Sequence, residues 1–237
     1  LTMVDNDPAK GPLVSVWNEQ AAGLGGVWAR ENTREGIWDA LKRKEVYATT
    51  GDRPTVRVFA GWDFAQADLD RPDFAENGYA HGVPMGGELA KAPAGKRPAF
   101  MVHAMRDPNG PNLDRIQVVK GWLGADGQTQ ERIFDVAVSG GRQIGQDGRC
   151  KTPVGSTVAA ATATYTNTIG AATLSAYWQD PVFDAAQRAF YYVRVIQIPS
   201  PRWTAYDQKR YGIKMPDSVP MTVTDRAYTS PIWYSPS

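Results

Sequence analysis

Six segments of this chain alternate apolar and polar residues, and this period of two constrains the fold more than any other sequence feature. Turn sequences at 107–110, 125–127 and 145–148 follow some of these segments and indicate hairpins. The chain also contains 23 Gly, 17 Pro, 8 Trp and 10 Tyr, a combination that is typical of packed antiparallel sheets. We therefore predict a mainly β protein, an antiparallel β-sandwich. The six segments lie at 55–60, 98–105, 115–122, 131–138, 172–178 and 189–198.

Two helices are expected beside these strands. Thr33 is a suitable N-cap for a helix from about residue 33 to residue 44, because its hydroxyl can accept a bond from an amide of the first turn. A second, short helix near the C-terminus would have Ser200 as its N-cap, Pro201 in its first turn and Gly212 just past its end.

The segment at 189–198 predicts a central strand, because both of its faces are largely apolar. Arg194 lies on one of these faces. A desolvated guanidinium without a partner is costly, so we expect Arg194 to be partly buried and to pair with a carboxylate.

Composition excludes several classes of function. The 237 residues carry a formal net charge of +1 without basic clusters, which argues against nucleic acid as a partner. No apolar run approaches about 18 residues, so no membrane span is expected. The single Cys150 cannot form an internal disulfide, and the compartment stays open between a periplasmic or secreted location, slightly favoured, and a cytoplasmic one. Residues 1–25 read as a connector, and the opening at Leu1 suggests a piece of a longer protein.

Candidate metal ligands are few. His81 and His103 are the two histidines of the chain, and an ordinary zinc site needs three or four ligands. His103 is interpreted as a packed or hydrogen-bonded residue of a strand. His81 lies in a predicted Gly-rich loop and is the better candidate for contacting a ligand. The sequence at 107–114 is interpreted as a turn rather than a calcium loop, because strands flank it. We predict no metal or cofactor in this chain.

A charged segment before the first helix, "WARENTRE", allows two interpretations. It is either a solvated helix start with surface ion pairs, or a set of side chains that fixes an interdomain surface or reaches a neighbouring active site. Together with Arg53 and His81, its residues form the predicted substrate or interdomain contacts. The segment supplies Trp28, Arg30, Glu31, Asn32, Arg34 and Glu35.

Long motifs of the chain resemble a known family. They include "GLGGVWARENTREGIWDALKRKEVYATTGDRPTVRVFAGWDF", "HGVPMGGEL", "MRDPNGPNLDRIQVVKGW" and "SPIWYS". These motifs are similar to the C-terminal part of the bacterial domain-of-unknown-function family 3604, over nearly the whole chain from Gly23. Longer members of this family carry an upstream domain that resembles metal-dependent hydrolases of the polymerase-and-histidinol-phosphatase (PHP) type.

The resemblance implies how the chain is organised. Residues 1–50 would be a connector and helix that end the missing catalytic domain, and residues 51–237 would be the β-sandwich. The chain would be a non-catalytic part that packs on the upstream domain and shapes its cleft, while a divalent metal in that domain activates water to attack a phosphoester-like bond. The apolar stripe of the helix, with Ile37, Trp38 and Leu41, would meet that domain or a second copy of the chain.

The alternative is a self-sufficient ligand- or carbohydrate-binding β-sandwich module that stacks Trp and Tyr rings on its ligand. The two functions predict different surfaces. A line of exposed rings favours the binding module, and an apolar face around Trp38 favours a missing partner domain.

Overall fold

The computed structural model describes residue 19 and residues 22–236, so most of the predicted connector at 1–25 lies outside the described residues. The described chain is mainly β, as predicted. Its first seven strands are β1 (Gly25–Val27), β2 (Val46–Thr49), β3 (Thr55–Gly61), β4 (Gly82–Pro84), β5 (Glu88–Leu89), β6 (Ala99–Met105) and β7 (Leu113–Leu123). The remaining strands are β8 (Thr129–Val138), β9 (Thr173–Gln179), β10 (Ala189–Gln197), β11 (Ser200–Pro201), β12 (Thr222–Val223), β13 (Arg226–Thr229) and β14 (Ile232–Tyr234).

The strands form two main sheets. Sheet A is built around β10, which pairs with β7 on one side, and β8 continues the sheet beyond β7. On the other side of β10, β14 pairs with its first residues and β13 with its later ones. The sheet extends from β13 to β2 and β1, and from β14 to β5, the one parallel pair among the described strands. Sheet B has the order β4-β3-β6-β9, and β11 pairs with β12 separately.

The core lies between the two sheets, because each strand turns its apolar positions inward with a period of two. Sheet B contributes Val58 and Phe100, and sheet A contributes Val118, Val193 and other buried residues of the same cluster. A smaller apolar cluster covers the opposite face of sheet B, where Phe59 and Met101 pack beneath a helix. This arrangement agrees with the predicted antiparallel sandwich.

The predicted hairpins are only partly confirmed. The turn at 125–127 does join β7 to β8. The turn at 107–110, in contrast, carries the chain from β6 in sheet B to β7 in sheet A. The turn at 145–148 belongs to a long loop that folds back on β8, where Gly148 O accepts the Asp135 amide at 2.8 Å. A turn sequence shows that the chain reverses, but it does not show which strands pair.

Three α-helices are described: α1 (Arg34–Lys42), α2 (Phe74–His81) and α3 (Trp203–Tyr211). The N-cap of α1 is confirmed, since Thr33 Oγ1 accepts the Gly36 amide at 3.1 Å. Gly212, with φ of 63°, ends α3 as predicted. Ser200 and Pro201 do not begin that helix, because they pair with β12 as strand β11, and Arg202 is the N-cap.

Helix α2 was not predicted, and its Gly78 explains why. Gly78 suggested a loop, but it lies against the ring of Phe59, where an added Cβ would be 2.5 Å from the ring carbons. The glycine therefore serves close packing between α2 and β3 rather than a turn.

Arg194 confirms the central position of β10 but not the predicted partner. Its side chain is half-buried on the outer face of sheet A, and its Nε donates to Gln117 Oε1 at 2.8 Å. Gln117 in turn donates to Asp135 Oδ1 at 2.6 Å. The prediction of a direct pair with a carboxylate was wrong. The side-chain amide of Gln117 on β7 lies between the Arg194 guanidinium on β10 and the Asp135 carboxylate on β8.

Residue 50, where the sequence suggested a domain boundary, falls between strands of the sandwich. β2 pairs with β13 in sheet A, and β3 begins sheet B just after it. Residues 25–49 are thus hydrogen-bonded into the same sandwich. The assignment of residues 1–50 to an upstream domain remains a prediction about the longer protein.

A buried ion pair crosses the core between the sheets. Lys120 Nζ on β7 lies 2.6 Å from Asp180 Oδ2, directly after β9, and the two side chains are 2% and 0% exposed. Tyr191 on β10 donates to the same carboxylate oxygen at 2.8 Å, and Lys120 also donates to Val182 O at 3.0 Å. Burial and the adjacent Asp180 raise the pKa of Tyr191, which keeps the phenol protonated.

We expect Asp180→Ala to lower the free energy of unfolding by about 3–5 kcal/mol, because it leaves the Lys120 ammonium buried without its counter-charge. Urea denaturation followed by fluorescence measures this change. The double variant Lys120→Met/Asp180→Leu removes both charges and should recover most of the loss. A double variant as unstable as Asp180→Ala would contradict this account.

Candidate functional site

Helix α1 turns an apolar face away from the sandwich. Trp38 is 64% exposed and Leu41 is 49% exposed, whereas Ala40 on the opposite side is buried. Ile37 is half-buried between them. A shallow groove follows this face and is lined by Arg34, Glu35, Ile37, Trp38, Asp39 and Leu41. An exposed Trp and Leu side by side on a short helix form a surface suited to contact with another molecule.

The charged residues of "WARENTRE" surround the start of this helix. They include both acids and bases and are all exposed, and Arg34 and Glu35 line the groove together with Trp38 and Leu41. These residues together are called the α1 surface below. Its charged and polar members are Arg30, Glu31, Asn32, Arg34 and Glu35, and its apolar members are Trp38 and Leu41.

Trp28 belongs to the support of this surface rather than to its exposed part. Its indole Nε1 donates to Val56 O at 2.9 Å, and the guanidinium of Arg57 lies 4.4 Å from the centre of its ring. The ring is thus half-buried between β3 and a stacked cation. The Arg57 guanidinium therefore occupies one face of the Trp28 ring.

A buried carboxylate lies just after the C-terminal end of α1 and holds it in place. Glu45 is 1% exposed and lies 3.4 Å from the guanidinium of Arg43 and 3.9 Å from that of Arg57. Tyr79 on α2 donates to Glu45 and accepts from Arg57 Nη2 at 2.9 Å. Desolvation, and after it the bond to Glu45, raises the pKa of Tyr79, so the phenol stays a donor. This cluster, the Glu45 cluster, joins α1, β3 and α2.

The other two predicted contact residues lie elsewhere. Arg53 is exposed beside the turn at 107–110, where its backbone amide donates to Asp107 Oδ2 at 3.1 Å. His81 is exposed at the last position of α2, not in the Gly-rich loop that the sequence suggested. Arg53 therefore stands apart from the α1 surface, while His81 shares a helix with Tyr79 of the Glu45 cluster.

His103 and the turn at 107–110 match their interpretations. His103 Nε2 bonds to Leu69 O at 2.8 Å, and its ring stacks on Phe74 with centres 4.0 Å apart. Asp107 accepts the Asn109 amide at 2.9 Å, as in an ordinary turn. Across residue 19 and residues 22–236, no group of three or more His, Cys, Asp or Glu side chains could hold a metal ion. No helix in the same residues is long and apolar enough to cross a membrane.

Sequence reasoning missed Glu45, Arg57 and Tyr79. Glu45 directly follows the helix predicted at 33–44 and received no interpretation, and Arg57 occupied a polar position of a predicted strand. Only the packing of α2 on β3 brings Tyr79 to them. A signal did exist, because Glu45 lies directly beside the strand segment "VYAT", where an exposed charge is less usual.

The described residues define a β-sandwich protein with an attached, outward-facing helix. The model of the family described as "Protein of unknown function (DUF3604)" matches residues 3–236, so the chain belongs to this family. No curated protein and no solved structure matched the chain.

We expect Glu45→Gln to lower the free energy of unfolding by about 1–3 kcal/mol, because it removes the buried charge that holds Arg43 and Arg57. The matched control is Glu35→Gln, the same change at an exposed position of α1, which should stay within about 0.5 kcal/mol of the wild type. Thermal and urea unfolding measure both variants. Equal effects would show that Glu45 does not anchor the helix.

Proposed function

We propose that this chain is the non-catalytic C-terminal portion of a PHP-like metal-dependent hydrolase, and that the α1 surface packs against the upstream catalytic domain and shapes its cleft. The observation that carries the proposal is the exposed face of Trp38 and Leu41 on a helix that the Glu45 cluster holds in place. A loosely attached helix could fold its apolar face inward, but α1 is fixed with that face outward.

In this proposal the occupant of the α1 surface is the upstream domain that the resemblance implies. Longer members of the family carry an upstream domain, and α1 with the following "VYATTG" would be the last part of that domain in sequence. In this proposal the upstream residues hold the divalent metal and activate the water. The α1 surface contributes contacts, with Trp38 and Leu41 as the apolar centre and Arg30, Glu31 and their neighbours as the charged rim.

Hydrogen exchange tests the docking directly. In the longer protein that the proposal requires, amides of residues 34–42 should exchange at least about tenfold more slowly than in the 237-residue chain, because packing suppresses local opening. Trp38→Ala with Leu41→Ala should abolish the difference, while leaving the stability of the shorter chain within about 1 kcal/mol. The control is Trp233→Ala, an exposed Trp on another element. Equal exchange in the two proteins would contradict the docking.

Turnover tests the effect on the cleft. Arg30→Ala and Glu31→Ala in the longer protein should each lower the hydrolysis of a phosphoester substrate by about tenfold, roughly 1.4 kcal/mol of barrier, while the fold is unchanged. Lys151→Ala, which removes a charge from a distant exposed loop, is the control. If Arg30→Ala and Glu31→Ala leave turnover unchanged, "WARENTRE" is only a solvated helix start.

A second candidate, the ligand- or carbohydrate-binding module, is favoured by a different observation. Trp233 is 47% exposed in a groove on the outer face of sheet A. This groove is separate in sequence and topology from the α1 surface, so the two functions are compatible within one protein.

A further inference from the structure

A groove of about 410 Å³ lies on the outer face of sheet A, where β10 begins. Two aromatic rings form its floor: Phe190 and Trp233, whose centres are 5.3 Å apart with a tilt of 49° between their planes. The side chain of Leu123, 57% exposed, extends the apolar surface. The groove is lined by Glu88, Gly121, Trp122, Leu123, Thr129, Arg188, Ala189, Phe190, Trp233, Tyr234 and Ser235.

Strand register explains why these side chains meet. Trp233 stands opposite Phe190, and Phe190 stands opposite Gly121 on β7. Their neighbours Ile232, Tyr191 and Tyr234 are fully buried in the core. Since side chains alternate between the two faces, Trp233, Phe190 and Gly121 form one row on the outer face.

Gly121 makes the floor of the groove possible. The ring of Phe190 lies so close over it that an added Cβ would be 2.3 Å from Phe190 Cζ. Any larger residue at this position would push the ring aside. The contact with Gly121 on the adjacent strand therefore fixes the position of the Phe190 ring, which forms a rigid apolar part of the floor beside the exposed Trp233.

Polar groups surround this apolar floor. Arg188 precedes Phe190 by two residues, and Ser235 follows Trp233 by two, so the alternation places both on the outer face. Glu88 stands opposite Trp233 and accepts from Ser235 Oγ at 2.6 Å. Thr129 stands opposite Leu123. Arg188 and Glu88 balance each other's charge, so the groove offers both hydrogen-bond donors and acceptors without a net charge.

We propose that this groove binds a neutral hexose unit of a glycan, an inference that rests on the second candidate function above and names its ligand. The apolar face of a sugar ring can stack on Trp233, while its hydroxyls donate to Glu88 and accept from Arg188, as both roles are present in every hydroxyl. A purely apolar ligand would make no hydrogen bond with Glu88 or Arg188, and the carboxylate of an acidic sugar would be repelled by Glu88. Because the rings face solvent, an internal unit of a longer chain can occupy the groove.

The site is independent of the α1 surface. Groove residues come from β5, β7, β8, β10 and β14, whereas α1 lies between β1 and β2. Failure of one proposal therefore leaves the other intact, and variants at Trp38 and Trp233 serve as controls for each other.

Calorimetric titration of the 237-residue chain with cellohexaose, laminarihexaose and mannohexaose tests the proposal, with oligogalacturonate as the acidic comparison. We expect at least one neutral oligosaccharide to bind. Trp233→Ala should weaken that binding by about tenfold or more, since truncating a central aromatic contact is costly. Trp233→Tyr should retain much of the affinity, and Trp38→Ala should leave it unchanged.

Arg188→Ala is a second variant, at an exposed position, in case Trp233→Ala impairs folding. It should also weaken binding, and thermal unfolding checks that each variant is folded. Binding of none of the neutral oligosaccharides, a preference for oligogalacturonate, or affinity unchanged in both Trp233→Ala and Arg188→Ala would overturn the proposal. So would a dimer of the chain that Trp233→Ala dissociates, because the groove would then be a contact between copies.

Discussion

The ion pair between Lys120 and Asp180 determines how the two sheets of this sandwich can meet. Lys120 belongs to sheet A, Asp180 follows the last strand of sheet B, and Tyr191 completes the group from the centre of sheet A. Two charges withdrawn from water must remain together, since either one alone is strongly unfavourable. A slip of β7 by one residue would turn Lys120 to the outer face and leave the Asp180 carboxylate without its counter-charge, so the pair fixes the register of the strands that form both the core and the outer groove.

The Glu45 cluster applies the same principle at the edge of the sandwich. A helix of nine residues is marginal in water, and its stability normally comes from packing its apolar face. Here α1 is held by its ends instead: Thr33 caps the first turn, and the buried Glu45 follows the last one. Arg57 joins Glu45 to Tyr79 and stacks on Trp28. Trp38 and Leu41 take no part in these contacts and remain exposed.

Sequence patterns identified the elements of this fold better than their pairing. The six alternating segments became strands within about two residues of their expected ends, because alternation records which face is buried. The turn at 107–110 misled, because a local reversal cannot show that the chain changes sheets. Gly78 and Arg194 misled for a related reason: their roles depend on Phe59 and Gln117, which are distant in sequence. At the candidate site, the exposed charges of "WARENTRE" were foreseen, whereas the buried group of Glu45, Arg57 and Tyr79 needed three elements brought together by folding.

The α1 surface and the aromatic groove are connected to β10 through different partner strands. Its first residues pair with β14, which leads to β5 and the aromatic groove, and its later residues pair with β13, which leads to β2, β1 and α1. Two residues separate β13 from β14, and they bond to different neighbours. The Ser230 amide donates to Val46 O at the start of β2, whereas Pro231 O accepts the amide of Gly86, just before β5. Proline has no amide of its own to donate to a neighbouring strand, so the ladder ends there and the sheet divides. The two surfaces therefore lie on different branches of sheet A, although the segment before β5 also approaches the C-terminal end of α1, where Gly86 lies against Lys44 O.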